Sequence, residues 1–214
     1  MLIKKLLYLK IYKELIHIKF ILVVFLFLFL HNYLSAQEIN PLVKFETERQ
    51  HINKNGMLIL GSWAAGNILL GAYGNYKAKG ETKYFHQFNA MWNVVNLGIA
   101  AFGYYNSVNT DPATMSGIDI LKDFSSLQNF LLLNAGLDVA YMATGLYLRE
   151  KGKNSSNSER LRGYGKSLLL QGGFLLAFDV ALYFIQENNA SINFYPYFEN
   201  ISATAFGIGV NIKL

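Results

Sequence analysis

The stretch GGFLLAFDVALYFI, Gly172 to Ile185, carries one charge, Asp179, at its apolar centre. A carboxylate at mid-bilayer costs about 2.5–3.5 kcal/mol even on insertion scales. A chain that keeps one there has to shelter it among other helices. Three similar stretches flank it. Residues 57–76, 87–107, 127–148 and 167–186 contain no Lys or Arg, and each has about the 20 residues a helix needs to cross ~30 Å of hydrocarbon. The expected fold is an all-α membrane protein, a four-transmembrane-helix antiparallel bundle over 57–187.

Composition agrees with that class. The 214 residues are 52% hydrophobic and 15% charged, with mean hydropathy +0.21, which is apolar and charge-poor beside ordinary soluble domains. A secreted soluble bundle would need polar outward stripes on each helix, and MLILGSWAAGNILLGAYGNY, Met57 to Tyr76, has no charge on any face. Cys is absent, so disulfides, thiolate metal sites and a lipidated N-terminal Cys are excluded.

Of the formal charge of +5, +4 lies before residue 37, in Lys4, Lys5, Lys10, Lys13 and Lys19 against Glu14. The remainder offers no basic surface, and nucleic acid is not expected as a partner. The Lys-rich start, the run FILVVFLFLFL and the small residues of HNYLSA before Gln37 have the order of a signal peptide over 1–36; an uncleaved anchor is the alternative. Residues 37–56 follow as an external N-terminal segment.

Loop charge sets an orientation independently of the spans. Lys77, Lys79, Lys83, Arg149, Lys151, Lys153, Arg160, Arg162 and Lys166 flank two of the connections, while the middle one carries Lys122 against Asp111, Asp119 and Asp123. Positive residues stay on the cytoplasmic side, which places both mature termini in the periplasm of a bacterial inner membrane, with the lipid bilayer as the first partner. At the end, ISATAFGIGVNIKL, Ile201 to Leu214, alternates with period two as a strand does. SINFYPYF is its expected hairpin partner, so 188–214 reads as an external β-type tail. This ending also looks like the closing strand of an outer-membrane barrel, which leaves outer-membrane association as the alternative location.

Each span holds one polar residue near its middle: Asn67, Asn96, Asp138 and Asp179. If helix midpoints meet at one depth, the four form a single polar layer. With no Lys or Arg in any span, amide-to-carboxyl hydrogen bonding with at least one acid in its protonated form is expected. In HQFNAMWNVVN, the residues His86, Asn89, Asn93 and Asn96 fall three, four and three apart and share one helix face. Asn134 and Tyr141 flank Asp138 at helical spacing, and Tyr183 follows Asp179. Small residues at Gly136, Ala140 and Thr144, at Gly173, Ala177 and Ala181, and at Ser62, Gly66 and Gly74 are the expected helix contacts.

Such a layer reads either as interhelical glue or as a site for an ion, proton or polar ligand. A structural or interaction role, with a homo-oligomer or an envelope protein as partner class, is the first functional expectation. A small transporter, channel or sensor is the second. No cofactor or metal site is expected. Two intramembrane acids also belong to aspartyl proteases of the membrane, but GLDVA lacks the Gly-x-Gly-Asp motif of that family, and the chain reads as a non-enzyme. The stretch YFHQFNAMWNVVNLGIA, Tyr84 to Ala100, resembles a segment typical of an uncharacterised family of small bacterial membrane proteins with a signal peptide. That resemblance implies no activity.

Overall fold

The computed structural model describes residues 40–197 and the backbone of 201–204 and 207–210; the signal-peptide expectation lies outside these residues. Four long helices follow one another: α1 Pro41–Lys77, α2 Gly80–Asn109, α3 Gly117–Gly152 and α4 Ser158–Asn193. The start of α1 has a plain local cause. Pro41 occupies the first helical turn, and the Asn40 side chain accepts a hydrogen bond from the Leu42 N–H at 3.0 Å, which supplies a partner for one orphan donor. Two residues, Ala78 and Lys79, connect α1 to α2, and Gly80 takes φ +59°, a left-handed value that glycine adopts without steric cost. A short 3₁₀ turn, Pro112–Thr114, leads to α3. There the Ser116 hydroxyl oxygen accepts from the Asp119 N–H, and the hydroxyl donates to the Asp119 carboxylate, which caps the first turn.

The helices outrun the expected spans. At 37 residues α1 measures about 55 Å at 1.5 Å per residue, so it exceeds the hydrocarbon thickness by several turns. Much of the expected external segment 37–56 is therefore the first half of α1, and it is packed. Phe45 joins Ile120, Phe124, Ala190 and Phe194 in an apolar cluster at the end of the bundle that holds the α2–α3 connection. The expected β-type tail from 188 begins later. α4 continues to Asn193 and is followed by a 3₁₀ turn at Tyr195–Tyr197, so residues 191–197 of the expected partner are not a strand. The short strands Ile201–Thr204 and Gly207–Val210 pair antiparallel with each other, Ile201 opposite Val210.

Three helices, α1, α3 and α4, are long and apolar enough to cross a membrane. Side-chain placement fits lipid better than water. Leu69, Leu70, Val94, Phe102, Leu133 and Val139 are exposed, whereas Asn93, Gln171, Gln186 and Glu46 are fully buried. This inverts the soluble rule that charged and amide side chains lie outside.

α4 is the hub, packed against α1, α2 and α3. Glycines make the approaches. A Cβ on Gly145 would lie 2.7 Å from the Gly165 carbonyl oxygen, and one on Gly172 would lie 3.0 Å from that of Asp138. On Gly163 a Cβ would strike α2 at the Glu81 carbonyl and the Phe85 nitrogen. Between α1 and α2, Gly71 abuts Ala90 and Gly74 carries the His86 ring. Most of the expected small-residue contact faces are elsewhere: Gly66, Gly136 and Gly173 have open space where a Cβ would stand. α2 and α3 are not closely packed, with no Cα–Cα approach within 8 Å.

Gly165→Leu should therefore push α4 from α3. Overpacking of this kind costs about 1–3 kcal/mol or more, read as a lowered midpoint of thermal unfolding in detergent, while Gly136→Leu, on open surface, should leave the midpoint unchanged.

Candidate functional site

The buried face of α2 is the polar stripe. Asn89, Asn93, Asn96 and Ala100 are its buried residues, spaced four, three and four apart, the period that keeps one helix face toward its neighbours. α4 presents Leu168, Gly172, Asp179, Leu182, Gln186 and Asn189 in the same rhythm. Asp179 is thus held inward by position, whereas Ala177 and Ala181, expected as helix contacts, are exposed.

The stripe feeds a closed hydrogen-bond circuit. The Trp63 indole N–H donates to Gln171 Oε1 at 3.0 Å, and the Gln171 amide donates to Asn89 Oδ1. The Asn89 amide donates to Asn67 Oδ1 at 2.7 Å, and the Asn67 amide returns to the Trp63 carbonyl at 2.8 Å. Four donors and four acceptors from α1, α2 and α4 are matched. Trp63 is also stacked on Phe174, with ring centroids 3.9 Å apart. His86 sits at one end of the stripe against Gly74.

Asn67 therefore shares no layer with the acids. Antiparallel register brings it to Asn89 rather than Asn96, because the long helices are not aligned at the midpoints of their apolar stretches. From the circuit, the Asn93 amide donates to the Asn89 carbonyl and the Asn96 amide reaches Asn93 Oδ1. Asn96 then enters a second environment. A cavity of about 230 Å³ lies between α2 and α3 and is lined by Asn96, Asn134, Asp138, Tyr141 and Asp179, among Leu, Phe, Met and Trp side chains. Its floor is Leu175, Phe178, Asp179 and Leu182 of α4. Asp138 and Asp179 are 2% and 6% exposed, and their carboxyl groups are within hydrogen-bonding reach of each other.

The chemistry of the two polar groups differs. The circuit is satisfied, whereas Asp138 Oδ2 is buried without a hydrogen-bond donor, and no Lys or Arg is among the residues lining the cavity. Two facing carboxyls in that setting require a shared proton or a cation between them. Trp92 and Tyr141 meet edge to face across the cleft, ring centroids 4.8 Å apart. The exposed side chains of Val95, Ile99, Phe130 and Leu137 border it. Tyr183 packs instead with Met57, Leu60, Leu131 and Leu182.

Sequence reasoning missed Gln171, Trp63 and Trp92 as working parts of these groups. Gln171 was visible as an amide inside an apolar run, the same signal that marked the Asn residues. A further buried polar group also went unread. Glu46 accepts from Arg49 and Gln50, at 2.6–2.9 Å, and the Gln186 and Asn189 amides bond to the carbonyls of Arg49 and Phe45.

A family described only as of unknown function (DUF6992) matches residues 59–180, more than half of the chain. The chain belongs to this family. The DUF6992 match runs from α1 into α4 and takes in the circuit, the acid pair and the stretch Tyr84 to Ala100. No curated protein and no solved structure matches the chain.

Gln171→Leu opens the circuit at two bonds. Interhelical side-chain bonds in membrane proteins average about 0.6 kcal/mol and reach about 1.7, so a loss of about 1–3 kcal/mol is expected in detergent unfolding, with Trp63 fluorescence shifted as its donor partner disappears.

Proposed function

We propose that this chain is a non-enzymatic protein of a bacterial inner membrane that binds a cation or proton at Asp138 and Asp179, as a small carrier or sensor does. The observation that carries this reading is the acid pair at the floor of the α2–α3 cavity, with one carboxylate oxygen undonated and no basic side chain in the lining. Intramembrane acids are costly unless they serve a pathway or a pair, and here the pair has no protein counter-charge. The satisfied circuit of Trp63, Gln171, Asn89 and Asn67 favours a structural reading for that part of the interior. The two roles divide the polar residues between them.

In this reading α2 is a fourth span. Its Met91, Val94, Val95, Ile99 and Phe102 are exposed and suit lipid, while its inward Asn residues lower its average hydropathy. Loop charge supports a cytoplasmic position for the α1–α2 and α3–α4 connections. The absence of Cys makes orientation simple to measure. Thr110→Cys should react with a membrane-impermeant maleimide from the periplasm and Ser156→Cys only after the inner membrane is opened; the reverse pattern would invert the topology.

Access to the acids is the direct test of binding against glue. A lipid-soluble carbodiimide applied to intact membranes should modify Asp138 or Asp179, detected by mass spectrometry of the peptide, and Asp138→Asn or Asp179→Asn should remove the corresponding adduct while the protein accumulates normally. Modification of Asp119 or Asp123 alone, with both buried acids untouched, would assign the pair to packing.

A further inference from the structure

The cavity specifies more than charge. We infer that its ligand is a small organic ammonium ion with an apolar, ring-sized body, which enters sideways from the bilayer between α2 and α3. This rests on the reading of Asp138 and Asp179 as a binding pair.

Size sets the first limit. An apolar cavity of about 150 Å³ admits benzene, so 230 Å³ admits one ring with a short arm. The lining sets the second. Trp92, Phe130, Tyr141 and Phe178 place aromatic side chains around the space, and aromatic faces attract ammonium groups, most strongly where water is excluded. The acid pair sets the third: Asp138 is 2% exposed and its Oδ2 lacks a donor, which an N⁺–H group would supply, and Asn96 and Asn134, also in the lining, carry amide oxygens able to accept. Among the described residues no group of three or more His, Asp or Glu side chains is arranged to hold a metal ion. A hydrated inorganic cation would also gain nothing from the apolar remainder of the cavity.

The route follows from the packing. Glycines close the α1–α2, α2–α4 and α3–α4 contacts, while Trp92, Phe130 and Tyr141 stand between α2 and α3, whose backbones do not approach. The side chains bordering this opening, Val95 at 64% and Phe130 at 48% exposure, lie on the surface read as lipid-facing. Amphiphilic amines partition into bilayers and so arrive at that opening with their apolar part in hydrocarbon.

The test uses the full chain in lipid nanodiscs, with 2-phenylethylammonium as probe, 2-phenylethanol as its uncharged counterpart, and sodium and potassium chloride as inorganic cations. Calorimetric titration should give saturable binding of the ammonium probe at least tenfold tighter than of the alcohol. Asp138→Asn with Asp179→Asn should weaken it at least tenfold, and Trp92→Leu should weaken it severalfold. The wild-type ligand comparison decides the matter even if a variant fails to assemble. Equal binding of alcohol and ammonium, or an unchanged affinity in the double variant, would overturn the inference. Carbodiimide modification of the acids without ammonium binding would overturn the ligand class alone and leave the binding pair standing. Failure of both would remove both. Cross-linking of Val95→Cys to Phe130→Cys between two copies, unaffected by the probe, would show the opening filled by a second chain and would also overturn it.

Discussion

A polar side chain between helices in hydrocarbon has no water to return to, so its hydrogen bonds must close within the protein. The interior of this bundle is organised by that constraint. Trp63, Gln171, Asn89 and Asn67 meet it with a circuit in which each side-chain donor has an acceptor on another residue, and the circuit ties α1, α2 and α4 at one level. At the end of the bundle holding the α2–α3 connection, Glu46, Arg49 and Gln50 meet it with a buried ion pair and an amide, covered by Gln186 and Asn189 of α4. Asp138 and Asp179 meet it only in part.

The difference arises from how the helices approach one another. Where glycines face a neighbour, as Gly145 and Gly165 do, backbones come together and side chains interlock. Between α2 and α3 the facing residues are Trp92, Phe130 and Tyr141, too large for such contact. The helices stand apart, and the acids at the floor are left beside open volume. A cavity with an acidic floor and aromatic walls is thus a consequence of where small and large side chains were placed.

Much of the architecture was legible before folding. The four apolar stretches, their helical character and the inward stripe of Asn89, Asn93 and Asn96 follow from periodicity, because a helix that buries one face repeats its inward residues every three or four positions. Boundaries were less legible. The polar run after Asn40 gave no sign of its packing, because Glu46, Arg49 and Gln50 are charged or amide residues and only their mutual pairing lets them lie inside a helix contact. SINFYPYF looked extended, yet its first residues close α4. Small-residue spacing picked Gly74, which meets the His86 ring, but also Gly136 and Gly173, which have open space where a Cβ would stand, and it passed over Gly145, Gly163 and Gly165, which carry close approaches.

The sequence by itself determined the class of the protein: long apolar helices, too few charges for a soluble surface, and acids that had to be turned away from lipid. It also determined which face of α2 is buried, since that depends only on local helical geometry. Only the tertiary structure decided which polar residues meet. Asn67 joins Asn89 rather than the acids, and Asp138 faces Asp179 across α3 and α4, because helix register and the choice of neighbours are set by contacts between residues far apart in the chain. A sequence shows the period of a helix, but not the depth at which its partner's glycines will let it settle.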